Sequence, residues 1–190
     1  MPSLSSILVQ VESPDPRSLL DRARAGDSDA FTAICPEYEG RLLRQAMTLC
    51  GNEAMAEELA QDTLVEAWKC LRQYNGQCQF FTWLCAILLN RFRNALREKR
   101  FLPLTEETAE ACDEHASPDE SALANERAAL MRRRLAELPA KHRQVIFLRF
   151  YVEQSLPQIA AAVGCSVGTV KLRLFHAMEK LRRMNLNLDA

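Results

Sequence analysis

No stretch of this chain alternates apolar and polar residues for long enough to make a strand, which leaves helices as the building material. No apolar run approaches the length of a membrane span. The longest, FFTWLCAILL at 80–89, suits a buried helix, so no membrane insertion is expected. The N-terminus has neither the basic start nor the apolar core of a secretory signal, which predicts a cytoplasmic protein. Seven cysteines occur without a single CxxC pair, so a disulfide framework is not expected; they read as small buried hydrophobes in a reducing compartment. Cys112 and His115 have C-x-x-H spacing, but two ligands alone do not make a metal site. The three histidines, His115, His142 and His176, fall in an acidic stretch, at a helix start and on an exposed helix face. No nucleophile–base pairing joins them, so no catalytic residue, no metal and no cofactor is expected.

What the chain does have is a series of amphipathic helices that ends in a distinctive pair. At 155–158, Ser155 and Gln158 form an S-x-x-Q capping box, in which the two side chains satisfy orphan amides reciprocally. Pro157 fits that first turn, where its missing N–H is no loss. Ile159, Ala160 and Val163 supply one apolar face, and Gly164 ends the helix through a left-handed residue. Ser166 caps a second helix, with Val167, Val170, Leu174, Met178 and then Leu181 expected on its buried face. Two short helices joined by a tight glycine turn are a helix-turn-helix, whose second helix normally enters the DNA major groove. The outward face of that helix carries Ser166, Thr169, Lys171, Arg173 and His176, residue types that contact base edges or phosphates. An ordinary helical hairpin with a solvated basic face would carry the same residues. The small Ala160, the Gly164 turn and the buried Val170 favour the DNA reading.

The net charge of −1 conceals strong segregation. Residues 91–100 hold five basic residues and one acid, and residues 171–183 hold five basic residues and one Glu. Between them, residues 101–126 hold eight acids and no Lys or Arg. Two basic helices separated by acid predict two DNA-contacting modules, not one basic surface.

Read in order, residues 1–16 are expected to form a flexible tail. Helical patterning begins near Arg17 and pauses at Gly26-Asp27; Asp27 or Ser28 caps the next helix, and Pro36 is expected to interrupt it. A further amphipathic run, 42–49, stops at Gly51-Asn52. The segment 54–71 then buries Leu59, Leu64, Ala67 and Trp68 and exposes Glu57, Glu58, Gln61, Asp62 and Glu66. That acidic face is either simply solvated or a docking surface for a basic partner. After the turn at Tyr74-Asn75-Gly76, an aromatic cluster (Phe80, Phe81, Trp83) leads into the first basic helix. Most of these rings are expected in the core, yet aromatics beside Arg and Asn also suit unpaired bases, and Asn75 and Gln79 suit a base edge. Residues 101–121 read as a flexible acidic linker. Helical pattern resumes at 122 with Leu123, Leu130 and Leu135 expected buried, and continues through KHRQVIFLRFYVEQ into the helix-turn-helix. The fold class is all-α, with small helical domains at 17–100 and 122–186 joined by that linker.

With both basic segments in place, the chain resembles an extracytoplasmic-function (group IV) factor of the sigma-70 family. AEELAQDTLVEAW at 56–68 resembles the family's core-polymerase-binding helix, commonly AEDLVQETFLRAW. FFTWLCAILLNRFRNALREKR resembles the minus-10 segment, and the stretch from LPAKHRQV to HAMEKLR resembles region four, which reads the minus-35 element. The resemblance implies that Glu58, Gln61 and Asp62 contact core RNA polymerase. It places Asn75 and Gln79 in the loop that captures a flipped base, with Arg91, Asn94 and Arg97 near melted minus-10 DNA. Ser166, Thr169, Lys171, Arg173 and His176 fall on the minus-35 recognition helix. Leu172 departs from a frequent Ser, and Pro157 from a frequent Glu. The group implies promoter DNA and core polymerase as partners, a dedicated anti-sigma factor, and no catalytic residue.

Two other readings stay open on sequence alone. A stand-alone helix-turn-helix regulator accounts for 155–183 but not for the aromatic-basic segment at 80–100. An enzyme would need a constellation that the three histidines do not make.

Overall fold

The computed structural model describes residues 16–101 and 120–186. Residues 1–15 of the expected 1–16 tail, linker residues 102–119 with Cys112 and His115, and residues 187–190 lie outside the described residues, and Pro16 already belongs to the first helix. Among the described residues there are no strands, and the chain is all-α. Its helices are α1 (Pro16–Arg24), α2 (Ser28–Cys50), α3 (Glu53–Cys70), α4 (Phe80–Phe101), α5 (Glu120–Ala136), α6 (Ala140–Phe150), α7 (Leu156–Val163) and α8 (Val167–Leu186). A short 3-10 turn, Leu71–Gln73, follows α3.

Local chemistry sets most of the helix ends. Asp27 caps α2 by accepting from the amides of Asp29 and Ala30, at 3.1 and 3.0 Å, and also pairs with Arg22 at 2.7 Å. Gly51 closes α2 at φ 67°, with its amide on the Met47 carbonyl at 2.8 Å. Asn52 then caps α3 through the Met55 amide at 2.9 Å. Pro36 does not interrupt the chain as expected: α2 runs through it for 23 residues. Both Pro36 and Thr32, whose carbonyl loses a partner there, are exposed, so water can serve that carbonyl. Phe31 and Ile34 before the proline and Leu42, Ala46 and Leu49 after it are all buried, and this tertiary packing outweighs the broken bond.

Small residues suit the close packing of α2 on α3: Ala46 on one and Ala56, Ala60 and Ala67 on the other are all buried. Helix α4 lays Leu84, Leu88 and Phe92 on this pair. The second half forms around α6, with Ile159 of α7 and Val170 of α8 fully buried. A satellite cluster joins Leu135, Leu138, Ile146 and Ala177. The two halves are in contact. Helix α4 packs on α6 and α7, and one apolar cluster runs from Leu42, Leu84 and Leu88 to Val145, Phe147 and Ile159.

Three expected core positions are corrected. Leu130, Val167 and Met178 are exposed by 42%, 36% and 49%. On α8 the buried line is Val170 and Ala177 with Leu174 and Leu181 half-buried; Val167 continues this heptad spacing but is the first residue of the helix, and Met178 lies beside the line. Leu130 and Met178 instead face an open groove between α5, α6 and α8.

Candidate nucleic-acid interface

The polar face of α3 is where the sequence places it. Glu57, Glu58 and Gln61 are exposed, and Val65, which periodicity did not single out, stands 54% exposed on the same face. Asp62 is only half-exposed, because its carboxylate accepts a hydrogen bond from the Arg91 guanidinium of α4. Two residues assigned to different surfaces are therefore partners across the α3–α4 seam.

Past α3, the Tyr74 hydroxyl donates to the Cys78 carbonyl at 2.6 Å and closes a tight loop. Asn75 accepts from the Gln77 amide at 3.0 Å, an Asx turn, and Gly76 takes φ 74°. Asn75, Gln77 and Gln79 are exposed at the loop surface. Behind them lies a cavity of about 530 Å³, within the usual range for small ligands, about 300–1,000 Å³. Tyr38, Arg41, Tyr74, Phe80 and Phe81 are among its lining, with Arg41 sitting 3.8 Å over the Phe81 ring. Aromatic faces beside a guanidinium can hold a planar, electron-rich group. The rings themselves are mostly core: Phe80 and Phe81 are buried, and Trp83 packs against Tyr74 and Phe80. Burial pushes the Cys78 thiol up, and pushes Cys85 up to about 12 against a smaller pull from Arg41, so neither is a reactive thiolate.

Along α4 the basic residues divide by face. Arg91 and Asn94 are half-buried, whereas Asn90, Arg93 and Arg97 are exposed at helical spacing. Arg93 was not among the expected contacts. The buried positions Leu88 and Phe92 would have assigned it to the solvent side.

In the helix-turn-helix, Ser155 caps α7, Gly164 ends it at φ 66°, and Ser166 accepts from the Thr169 amide at 3.1 Å. The expected face of α8 splits in two. Thr169 and Arg173 are half-buried: Thr169 pairs with Ser166, and Arg173 reaches the Cys165 sulfur in the turn at 3.7 Å, while His176 stacks on His142 of α6 at 6.2 Å. Lys171 belongs to the fully outward strip, beside Leu172 and Phe175, which are 57% and 65% exposed.

Between α5, α6 and α8 an apolar groove carries Leu130, Met131, Phe150 and Met178, with Arg127 and Arg182 among its lining. Such a contiguous apolar surface marks an interaction site.

His142 has its protonation held below the usual histidine range, first by desolvation and then by His176, Arg173 and Lys180; its Nδ1 is buried without a partner. The unfolded chain therefore binds a proton there more readily than the folded one. The stability gained is complete above about pH 6.5 and is lost as pH falls toward the depressed value. A thermal-unfolding series from pH 7.5 to 5.5 should show this decline, and His142→Gln should flatten it. An equal decline in both proteins would remove His142 from the account.

Comparisons place these features beside known proteins. The family described as Sigma-70 region 2 matches residues 36–101, and Sigma-70, region 4 matches residues 128–181. ECF RNA polymerase sigma factor SigL of Mycobacterium tuberculosis is 33% identical over 162 residues, covering 84% of this chain and 91% of the relative. RNA polymerase sigma-H factor of Pseudomonas aeruginosa is 29% identical over 175 residues, covering 87% and 91%. The solved structure of CnrH in complex with the cytosolic domain of CnrY superposes with a TM-score of 0.61 at 28% identity, covering 93% of this chain and 100% of that one. Sigma factor RpoE in complex with the anti-sigma factor NepR, from Bartonella quintana, gives 0.54 at 26% identity over 84% and 98%.

Proposed function

The chain belongs to the extracytoplasmic-function (ECF) sigma factors of the sigma-70 family, and from that premise we propose which surface performs each task. It is an RNA polymerase sigma factor that directs promoter-specific transcription initiation. In our reading, residues 17–100 form the region-2 domain and 122–186 the region-4 domain, with 1–16 as a tail and 101–121 as the linker. The protein works in the cytoplasm as an initiation factor and leaves the chemistry to the polymerase.

Glu58, Gln61 and Val65 form the centre of the docking face for core polymerase. Asp62 contributes while holding Arg91 against α3. The loop with Asn75 and Gln79 takes one unpaired base toward the cavity lined by Tyr38, Arg41 and Phe81, an interaction that offsets a few kcal/mol of unstacking. Arg93 and Arg97 follow the strand along α4, with Asn94 beside them. At the minus-35 box, Ser166, Thr169 and Lys171 lead α8 into the major groove, Leu172 and Phe175 suit thymine methyls, and Arg173 and His176 take the flank nearest α6. An anti-sigma factor is the occupant we assign to the groove between α5, α6 and α8. An amphipathic helix with acidic flanks would complement its arginine rim. The relatives bound to CnrY and NepR lend this weight.

One observation carries the reading. A loop with its own ligand-sized cavity leads directly into a basic helix, in the same chain as a helix-turn-helix. A stand-alone regulator has no use for the first of these. Mixed with core polymerase and genomic fragments, the protein should create new, specific start sites. Tight duplex binding by the protein alone, with no polymerase complex, would favour the regulator instead.

A further inference from the structure

Positive charge collects along the seam between α6 and α8. His142, in the first turn of α6, and His176, on α8, lay their rings side by side at 6.2 Å and 21°. Imidazole changes its charge near neutral pH, and like charges this close oppose one another. Arg173 and Lys180 of α8 add two permanent charges, and both act against protonation of His142. Neither has a carboxylate partner among the described residues. Arg173 reaches the Cys165 sulfur at 3.7 Å, and Lys180 donates to the backbone carbonyl of Glu137, just past α5, at 2.8 Å. Glu179 lies 3.9 Å from His176 Nδ1, but the same carboxylate also pairs with Arg183. On α6 itself Lys141 and Arg143 flank His142, and Arg93 of α4 lines a small pocket with them. His142 Nδ1 is buried and has no hydrogen-bond partner among the described residues. A cluster of one sign around an unmet polar atom costs stability and suits an anion from outside.

We propose that His142, Arg173, His176 and Lys180 form a seat for one backbone phosphate of the minus-35 duplex, and that filling the seat takes up a proton. The inference rests on the reading of α8 as the minus-35 helix and specifies a contact at its flank. Arg173, His176 and Lys180 follow one another at helical spacing, so one anion can face all three, while His142 closes the seat from α6. Such a contact carries no base information; it fixes the register of α8 on the duplex. The proton follows from the charges. In the free chain, desolvation and then the neighbouring cations hold His142 below the usual histidine range. A phosphate in the seat opposes those cations and favours the imidazolium, so the complex binds more protons than its separate partners. Affinity for DNA therefore rises as pH falls through the histidine range. The folding stability supplied by His142 moves the other way, so unfolding at low pH cannot imitate the effect.

The test uses the full chain and a duplex of arbitrary sequence, since a phosphate contact does not depend on sequence. Wild-type affinity should rise about tenfold from pH 7.5 to 6.0. His142→Gln combined with His176→Gln should stay within about twofold over that range. His142→Gln combined with His176→Lys makes one charge permanent; it should be as flat, but at the tighter level. By NMR, the His142 ring should titrate about one pH unit higher with duplex present. Inorganic phosphate is the second probe. If it moves His142 as far as duplex does, while duplex binding shows no pH dependence, the seat takes a free anion and the DNA contact is overturned. A pH dependence that survives in the Gln–Gln variant, or a His142 that moves with neither probe, would overturn the seat itself. No polymerase is needed, so these readouts decide the seat even where promoter-directed transcription fails.

Discussion

Glu58→Lys combined with Val65→Asp should weaken assembly with core RNA polymerase by about 30-fold or more, the equivalent of losing one hot spot of about 2 kcal/mol. Both side chains lie on the solvent face of α3, away from its buried positions Ala56, Leu59, Ala60 and Thr63. Their replacement should therefore move stability by no more than about 0.5 kcal/mol. Glu58 supplies charge for a basic partner, and Val65 supplies apolar area at the centre of an otherwise acidic patch. Charge alone mostly changes association rate, whereas a desolvated apolar anchor slows dissociation. The double variant should accordingly show both a weaker salt dependence and a faster off-rate. Asp62→Lys is a less clean probe. It sets a lysine beside Arg91 and opens the α3–α4 seam, so lost binding there would mix docking with misfolding. Unimpaired holoenzyme formation by the double variant would refute the docking face.

Phe147→Ala should cost about 3–5 kcal/mol of folding stability, a large part of the roughly 5–15 kcal/mol available to a domain. Phe147 is fully buried on α6 and stacks on Tyr151 at 5.3 Å. It also lines a small cavity with Leu49 of α2 and Phe92 of α4. Its removal therefore leaves a void where the two halves meet, and both should loosen. Denaturant unfolding followed by Trp68 and Trp83 in the first half should register a mutation made in the second. If the tryptophan signal keeps its wild-type midpoint, the shared core does not contribute to the stability of the first half.

How much of this was legible beforehand follows the range of the interactions involved. The cap at Asp27, the ends at Gly51 and Gly164, and Ser166 at the start of α8 were readable because each is settled within three or four residues. The all-α class and the polar face of α3 were readable for the same reason, as periodicity is a local property. Pro36 breaks the local rule because its cost is offset by buried residues on both sides of it. Val167 and Met178 stay exposed, against their periodicity, because an apolar residue at the end or edge of a helical stripe is buried only where a neighbour packs on it.

Sequence by itself determined the helices, their order, the helix-turn-helix and the family, since these rest on local hydrogen bonding and on motifs in a fixed succession. Tertiary structure alone decided which of the matching residues are free to act. Asp62 and Arg91, 29 positions apart, neutralise one another, and Gln158 leaves its own helix for an amide 79 positions away. Neither pairing has a signature in spacing. A side chain with several acceptors in reach takes the one that burial leaves otherwise unsatisfied, and only the packed chain shows which that is.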